Sequence, residues 1–317
     1  MTFPADRTIR IATRSSRLAL WQAEHVAHLL RLAIPQVQVE LLHVSTIGDR
    51  DLSEPLRNLG PFGVFTREVQ RVVLDRQADL AVHSLKDLPT EPVEGLVLGA
   101  VPTRGELYDA LVLPASADRQ RVTGKSLWES IAAGARVGTG SLRRRAQLLH
   151  ARPDLEFSEV RGNVETRLRK LDAGEFDALV LAVAGLKRLD LGQRIDEELR
   201  PPLMYPAVGQ GALGLECRSD DTELRTALRL ISDAGTEAGV LAERALLADL
   251  RGGCHAPIGV ATRVAGERLT LEGVVLSTEG RERLHVELEG LAAAPVELGR
   301  QVAQALRDQG AERLING

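Results

Sequence analysis

The chain has 317 residues, 44% of them hydrophobic, which is enough for two or three domains with real cores and excludes a disordered chain. A formal net charge of -4 excludes a global field that would draw the protein to polyanions or to an anionic membrane, so any anion site must be local. Aromatic residues make up 3%, too few rings for a platform that stacks the bases of single-stranded nucleic acid.

The first segment scatters Asp6, Arg7, Arg10, Arg14 and Arg17 among its apolar residues, unlike a signal peptide. No apolar run approaches the ~18 residues that span a bilayer. The expectation is a cytoplasmic protein whose two cysteines, Cys217 and Cys254, are free thiols.

The alternating TIRIAT predicts a strand, SRLALWQAEHVAHLLRL a helix with apolar residues at helical spacing, and VQVELLHV a second strand. A polar loop follows, then the helix FTREVQRVVLDRQ and a short apolar strand, DLAVHS, that delivers the polar run LKDLPTEP to its carboxyl end. A second round starts near Tyr108. Strand DALVLP, helix SLWESIAAG, strand and turn ARVGTGS, helix LRRRAQLLHAR and strand LEFSEV come first. Helix NVETRLRKLDAG, strand FDALVLAVA and helix GLKRL complete it. Strands alternating with helices at this spacing predict βαβ units and parallel sheets, hence two α/β domains.

The Pro- and Gly-rich RPPLMYPAVGQGALGLECR reads as a segment crossing back to the first domain, ending in one apolar strand. The remainder predicts helix TEAGVLAERALLADL, strands at IGVATRV, RLTLEGVVLS and RLHVELEG, and helix APVELGRQVAQALRDQ, a separate α+β unit. The expected limits are 1–105 plus 207–230 for the first domain, 106–206 for the second and 231–317 for the third.

In GTGSLRRRAQL a Gly-rich turn enters a helix that begins with Arg143, Arg144 and Arg145. Free N–H groups at a helix start plus guanidinium forks suit phosphate or carboxylate. A solvated basic helix face fits as well. The next unit repeats the arrangement, with Arg161 before its helix and Arg167 within it. Two basic helix starts in successive βα units face one sheet edge, which favours an anionic ligand. Arg188 follows the next strand; taken alone it reads as surface.

In the first domain, Arg14, Ser15 and Ser16 lie between strand and helix, where capping alone explains the serines. His83, Ser84, Lys86 and Asp87 bunch at another strand end. A carboxylate among cations there fits a structural ion pair and a role in proton transfer equally. Cys254, on the bare turn LRGGCHAPIG, is either a small buried hydrophobe or a reactive thiol. No metal-ligand spacing and no nucleophile elbow occurs.

Taken together, IATRSSRLALWQAE, GDRDL, FTREV, AVHSLKDLPT, GTGSLRRRAQL, RGNVETRLRKLDAGEFDALVLAVAGLKRL, PAVGQGALGLECR and LRGGCHAPIG resemble, in order, the porphobilinogen deaminase (hydroxymethylbilane synthase) family. The resemblance implies a transferase of tetrapyrrole biosynthesis. Such an enzyme condenses four porphobilinogen molecules head to tail, releases ammonia at each addition, and hydrolyses the product free as hydroxymethylbilane. It implies a primer, a dipyrromethane cofactor held by a thioether to one cysteine, here Cys254, leaving Cys217 structural. It implies that Arg14, Lys86, Arg143, Arg144, Arg161, Arg167 and Arg188 hold pyrrole carboxylates, with Ser16 and Ser141 as hydroxyl donors. Asp87 would stabilise the cationic character that builds on pyrrole nitrogen.

The fold implied is two α/β domains like a class II periplasmic binding protein, with a chain crossover, plus a smaller α+β domain carrying the cysteine. A cytoplasmic monomer, without nucleic acid or membrane, is implied too. Asn58 and Phe62 stand where the family commonly has lysines, with Arg57 as a possible substitute, and Arg251 and His255 are unusual neighbours of Cys254. The competing readings are a non-catalytic anion-binding module of two α/β lobes and an RNA-binding protein, the latter disfavoured by charge and composition.

Overall fold

The computed structural model describes residues 7–45, 66–117, 125–251 and 256–316. The first strand, β1 (Thr8–Arg14), pairs in parallel with β2 (Gln38–Val44) through helix α1 (Arg17–Ala33). Ser16 starts α1 by accepting a hydrogen bond from the Ala19 amide, and Ala23, Val26, Ala27 and Leu30 form its buried stripe. Helix α2 (Arg67–Leu74) turns Val69 and Val73 to the opposite sheet face and leads into β3 (Leu80–Ser84), which lies beside β1 in parallel. Strand β4 (Leu96–Ala100) follows, and the chain then leaves this sheet.

Strand β5 (Asp109–Val112) opens the second sheet. Helix α3 (Leu127–Ser130), begun by a Ser126–Glu129 capping box, precedes β6 (Arg136–Gly138) and α4 (Leu142–Ala151). Strand β7 (Glu156–Ser158), helix α5 (Val164–Asp172), strand β8 (Ala178–Ala182), helix α6 (Val183–Arg188) and strand β9 (Glu197–Leu199) complete the lobe. The chain returns through β10 (Leu213–Arg218), which enters the first sheet between β3 and β4, and α7 (Thr222–Arg229) covers that sheet.

The strand orders are β2-β1-β3-β10-β4 and β7-β6-β8-β5-β9, one pattern used twice. Each sheet has one reversed strand, and it is the one supplied by the crossing chain: β10 runs antiparallel to β3 and β4, β5 to β8 and β9. The expected parallel pairing holds for β1 with β2 and β3 and for β6 with β7 and β8; the crossing strand is the exception. A crossing strand enters from the other lobe, so it runs against its neighbours rather than following a right-handed βαβ crossover. With helices on both faces the central strands are buried throughout; β3 reads Leu80, Ala81, Val82 and β8 Leu179, Val180, Leu181.

Two strands joining the lobes need a joint. Gly105 donates to the Gly211 carbonyl at 3.0 Å, tying the outgoing chain to the returning one. Gly211 has φ +82°, and a Cβ there would stand 2.6 Å from the Glu106 carbonyl oxygen, so only glycine fits.

The third unit comprises α8 (Ala234–Asp249), strands β11 (Ile258–Ala265), β12 (Arg268–Leu276) and β13 (Arg283–Leu291), and helices α9 (Pro295–Asp308) and α10 (Ala311–Asn316). Its antiparallel sheet buries Leu269, Leu271 and Val275 against Leu246 of α8 and Val302 and Leu306 of α9. Glu243 of α8, fully buried, accepts from both terminal nitrogens of Arg104, from the Gly209 amide at 2.7 Å and from the Thr262 hydroxyl at 2.7 Å. This carboxylate pins the third unit to the joint. Among the described residues no helix is long and apolar enough to cross a membrane.

Candidate functional site

The carboxyl end of β3 passes into a 3-10 turn, Leu85–Asp87. The turn is clamped from several directions. The Leu85 amide donates to the Ala212 carbonyl at 3.0 Å, and the Leu85 side chain fills the space that a Cβ on Gly214 would need, 2.6 Å away. Beneath it, buried Gln22 of α1 donates to the Ser84 hydroxyl at 2.7 Å. His83 Nε2 lies 2.9 Å from Glu216 Oε2, which also accepts from Gln70. The hydrophobic Leu85 anchors the turn, so its neighbours Lys86 and Asp87 point away from the core: Lys86 is half-buried and Asp87 exposed.

Opposite stand the βα turns of the second lobe. Gly138 ends β6 where any side chain would strike Leu179, 2.5 Å away, and Ser141 caps α4 by accepting from the Arg144 amide. The first turn of that helix is not the solvated basic face that the sequence allowed. Arg143 and Arg144 are 4% and 6% exposed, while the adjacent Arg145 is exposed. Both buried guanidiniums converge on Asp109, the first residue of β5: Arg143 Nη2 is 2.8 Å from Oδ2, and Arg144 donates from Nε and Nη2 to Oδ1 at 3.0 and 2.7 Å. Burial pushes the Asp109 carboxyl up, but the two guanidiniums outweigh it and hold it at about 2.

The lobes meet electrostatically at Lys86. Desolvation lowers its ammonium to about 8; Asp87 and Asp109 oppose that, and the cations Arg144 and Arg143 reinforce it. Arg167 of α5, which donates to the Gly162 carbonyl at 2.8 Å, is lowered to about 10 by burial and then by Arg144, against the pull of Asp87 and Glu159. Lys86, Asp87, Arg143, Arg144 and Arg167 therefore form one electrostatically coupled group, drawn from both lobes.

The other expected residues are placed by their own elements and partners. Arg188, lowered to about 10 by burial, donates to the Gly211 carbonyl at 2.6 Å and lies 5.4 Å from the Trp21 ring centroid, so it bridges the joint and α1. It is half-buried and engaged on both sides, not the free surface residue that it suggested alone. Arg161 pairs with Glu159 at 2.8 Å. Arg14 ends β1, and Ser16 caps α1 beside it. Cys217 is buried in β10, where desolvation raises its thiol to about 11, consistent with an inert residue. Arg57, Asn58, Phe62, Gly252, Gly253, Cys254 and His255 lie outside the described residues. Arg251, just past α8, has φ +51°.

Sequence reasoning missed Asp109 and Gln210. Gln210, fully buried in the returning segment, donates to Asp109 Oδ1 at 3.1 Å and to the Leu107 carbonyl at 2.6 Å. The available signal was a polar residue between two glycines in an otherwise apolar run; Asp109 gave none beyond opening a strand.

Comparison with known proteins follows the same division. A family model described as "Porphobilinogen deaminase, dipyromethane cofactor binding domain" matches residues 9–226, and one for the C-terminal domain of porphobilinogen deaminase matches residues 238–308. The porphobilinogen deaminase of Nostoc sp. is 45% identical over 98% of this chain and 95% of its own. That of Syntrophotalea carbinolica is 44% identical over 98% and 96%. That of Xanthomonas oryzae pv. oryzae is 46% identical over 97% and 98%. Among solved structures, the periplasmic VFT2 domain of BvgS from Bordetella pertussis aligns over 71% of this chain and 86% of its own, at 16% identity and a TM-score of 0.41. Matched from end to end by relatives that share nearly half its residues, the chain belongs to the porphobilinogen deaminase family of tetrapyrrole biosynthesis.

Proposed function

We propose that the space between the two α/β lobes is where this chain binds a dipyrromethane cofactor and porphobilinogen, with Asp87 as the catalytic residue and Cys254 as the point of attachment. The observation that carries this reading is the charge arrangement: an exposed carboxylate, Asp87, on a clamped turn of one lobe, facing buried cations of the other.

The donor set fits the group. Each pyrrole unit carries two carboxylates, and Lys86, Arg143, Arg144, Arg161, Arg167 and Arg188, with Arg14, Ser16 and Ser141, supply cationic forks and hydroxyls around one cleft. When bound, the cofactor supplies the primer onto which porphobilinogen units are joined. The residues of the chain divide the remaining work. Lys86 and the arginines orient the carboxylates, and burial strengthens each contact by excluding water. Asp87, on a turn held by Ser84 and Leu85 ahead of it, holds a negative charge where pyrrole N–H groups become cationic. The protein acts as a cytoplasmic monomer.

Intact mass tests the attachment. The purified protein should carry two linked pyrrole units, lost in Cys254→Ser; an unmodified chain with full activity contradicts the proposal. A non-catalytic anion-binding module would carry no adduct and release no ammonia from porphobilinogen.

A further inference from the structure

Arg143 and Arg144 are consecutive residues of a helix, so their side chains leave the axis about 100° apart and do not naturally face one ligand. In this fold one carboxylate turns them to a common side. Asp109 accepts from Arg144 through Oδ1 and faces Arg143 through Oδ2. The far nitrogens are fixed as well, Arg143 Nη1 on the Tyr205 carbonyl at 2.5 Å and Arg144 Nη1 on the Val180 carbonyl at 2.9 Å. Asp109 itself is held by the Gln210 side chain, and the Gln210 backbone carbonyl accepts from Arg104, the partner of Glu243 in the third unit. A continuous polar chain thus runs from α8 through the joint to the cleft arginines.

We propose that Asp109 is a positioning residue for the condensation reaction: it orients Arg143 and Arg144 toward the cleft and reduces their combined charge from two to one, with Gln210 holding it in place. The inference rests on the reading of this cleft as the seat of a polycarboxylate chain. Two uncompensated guanidiniums beside Lys86 would disfavour its protonated form, so Asp109 also keeps that cation charged.

The test uses holo-protein carrying Asp109→Asn or Gln210→Met, compared with wild type. Three properties are measured: steady-state kinetics for porphobilinogen, the pH dependence of kcat/KM, and labelling of arginines by a dicarbonyl reagent, located by peptide mass. For D109N we expect KM to rise about 10- to 100-fold with a smaller change in kcat, since charged hydrogen bonds to substrate are weakened. The basic limb of the pH profile should move to lower pH, because Lys86 has lost a nearby anion. Arg143 and Arg144, protected in wild type, should label. Q210M keeps both ion pairs and should move the same three readouts in the same direction by less. If D109N does not fold, Q210M decides.

A folded variant with unchanged KM and an unchanged basic limb overturns the proposal, whether or not the arginines label, because a merely structural carboxylate lowers stability without moving either. Asp87→Asn separates the two levels. Inactive D87N with normal D109N or Q210M removes only the positioning role; active D87N removes the reading of the cleft itself.

Discussion

The two α/β lobes share a strand order and differ in where they put their carboxylate. At the end of β3 the first lobe leaves Asp87 exposed on a turn anchored by Leu85. At the start of β5 the second lobe buries Asp109 completely and closes two guanidiniums on it. Topology alone therefore does not assign a role to an acid beside a cation. Burial and the number of partners separate the two: one carboxylate is exposed, and the other is enclosed by two guanidiniums.

The sharpest way to break this comparison is to neutralise each acid without changing its shape. Asp87→Asn should lower kcat by about 10²- to 10⁴-fold, the range for a positioned acid-base group, while thermal unfolding stays close to wild type. Asp109→Asn should reverse the emphasis, costing about 3–5 kcal/mol of stability because it leaves buried cations uncompensated. Calorimetry and steady-state kinetics on both proteins check the pair. Equal losses of stability, or a D87N protein with near-normal turnover, would erase the distinction between the lobes.

This contrast also marks how far the sequence was legible. Alternation and helical spacing located β1, α1, β2, β3 and the three strands of the third unit, because each is amphipathic or uniformly buried over enough residues to give a period. Leu96–Ala100, Glu197–Leu199 and Thr222–Arg229 were not foreseen. Two of these are three to five residues long, below the length at which a period is readable. Lys86, Asp87 and the arginine-bearing turns were visible as polar residues at strand ends. Asp109 was not, since the partners that define it lie 34 and 35 residues further along and a third, Gln210, is 101 residues away. Local sequence carries no trace of such a pairing.

Smaller effects should separate the arginines. Arg167→Leu removes a half-buried cation that feels both Asp87 and Arg144, and should raise KM about 10- to 100-fold, the worth of a charged hydrogen bond to substrate. Arg161, already paired with Glu159 at the partly exposed lip, should matter less in the same assay. An equal effect for the two would mean that coupling to Asp87 and Arg144 does not grade these arginines.

Lys86 gives the comparison a pH axis. As pH rises through about 8 its ammonium is lost, so KM should climb on the alkaline side, and Lys86→Arg, charged throughout, should flatten that limb. Stability must move the other way. The lysine is depressed in the folded state and ordinary when unfolded, so between about pH 8 and 10.5 the unfolded chain binds more protons, and this group favours folding increasingly as pH rises. Alkaline loss of affinity accompanied by parallel unfolding would assign the limb to something other than Lys86.

The smallest expected change concerns the two serine caps, Ser16 in the first lobe and Ser141 in the second. Replacement by alanine confuses two roles, since losing a cap costs about 1 kcal/mol by itself. Aspartate separates them. It caps a helix as well as serine does, and its charge favours a helix N-terminus, so Ser16→Asp and Ser141→Asp should unfold near the wild-type temperature. A ligand rich in carboxylates would meet the new negative charge, and KM should rise a few-fold for whichever serine donates to it. At Ser141 the aspartate would also compete with Asp109 for Arg144, which follows it by one turn, so the larger rise is expected in the second lobe. Unchanged KM in both variants would leave the serines as caps only and assign the hydroxyl contacts elsewhere in the cleft.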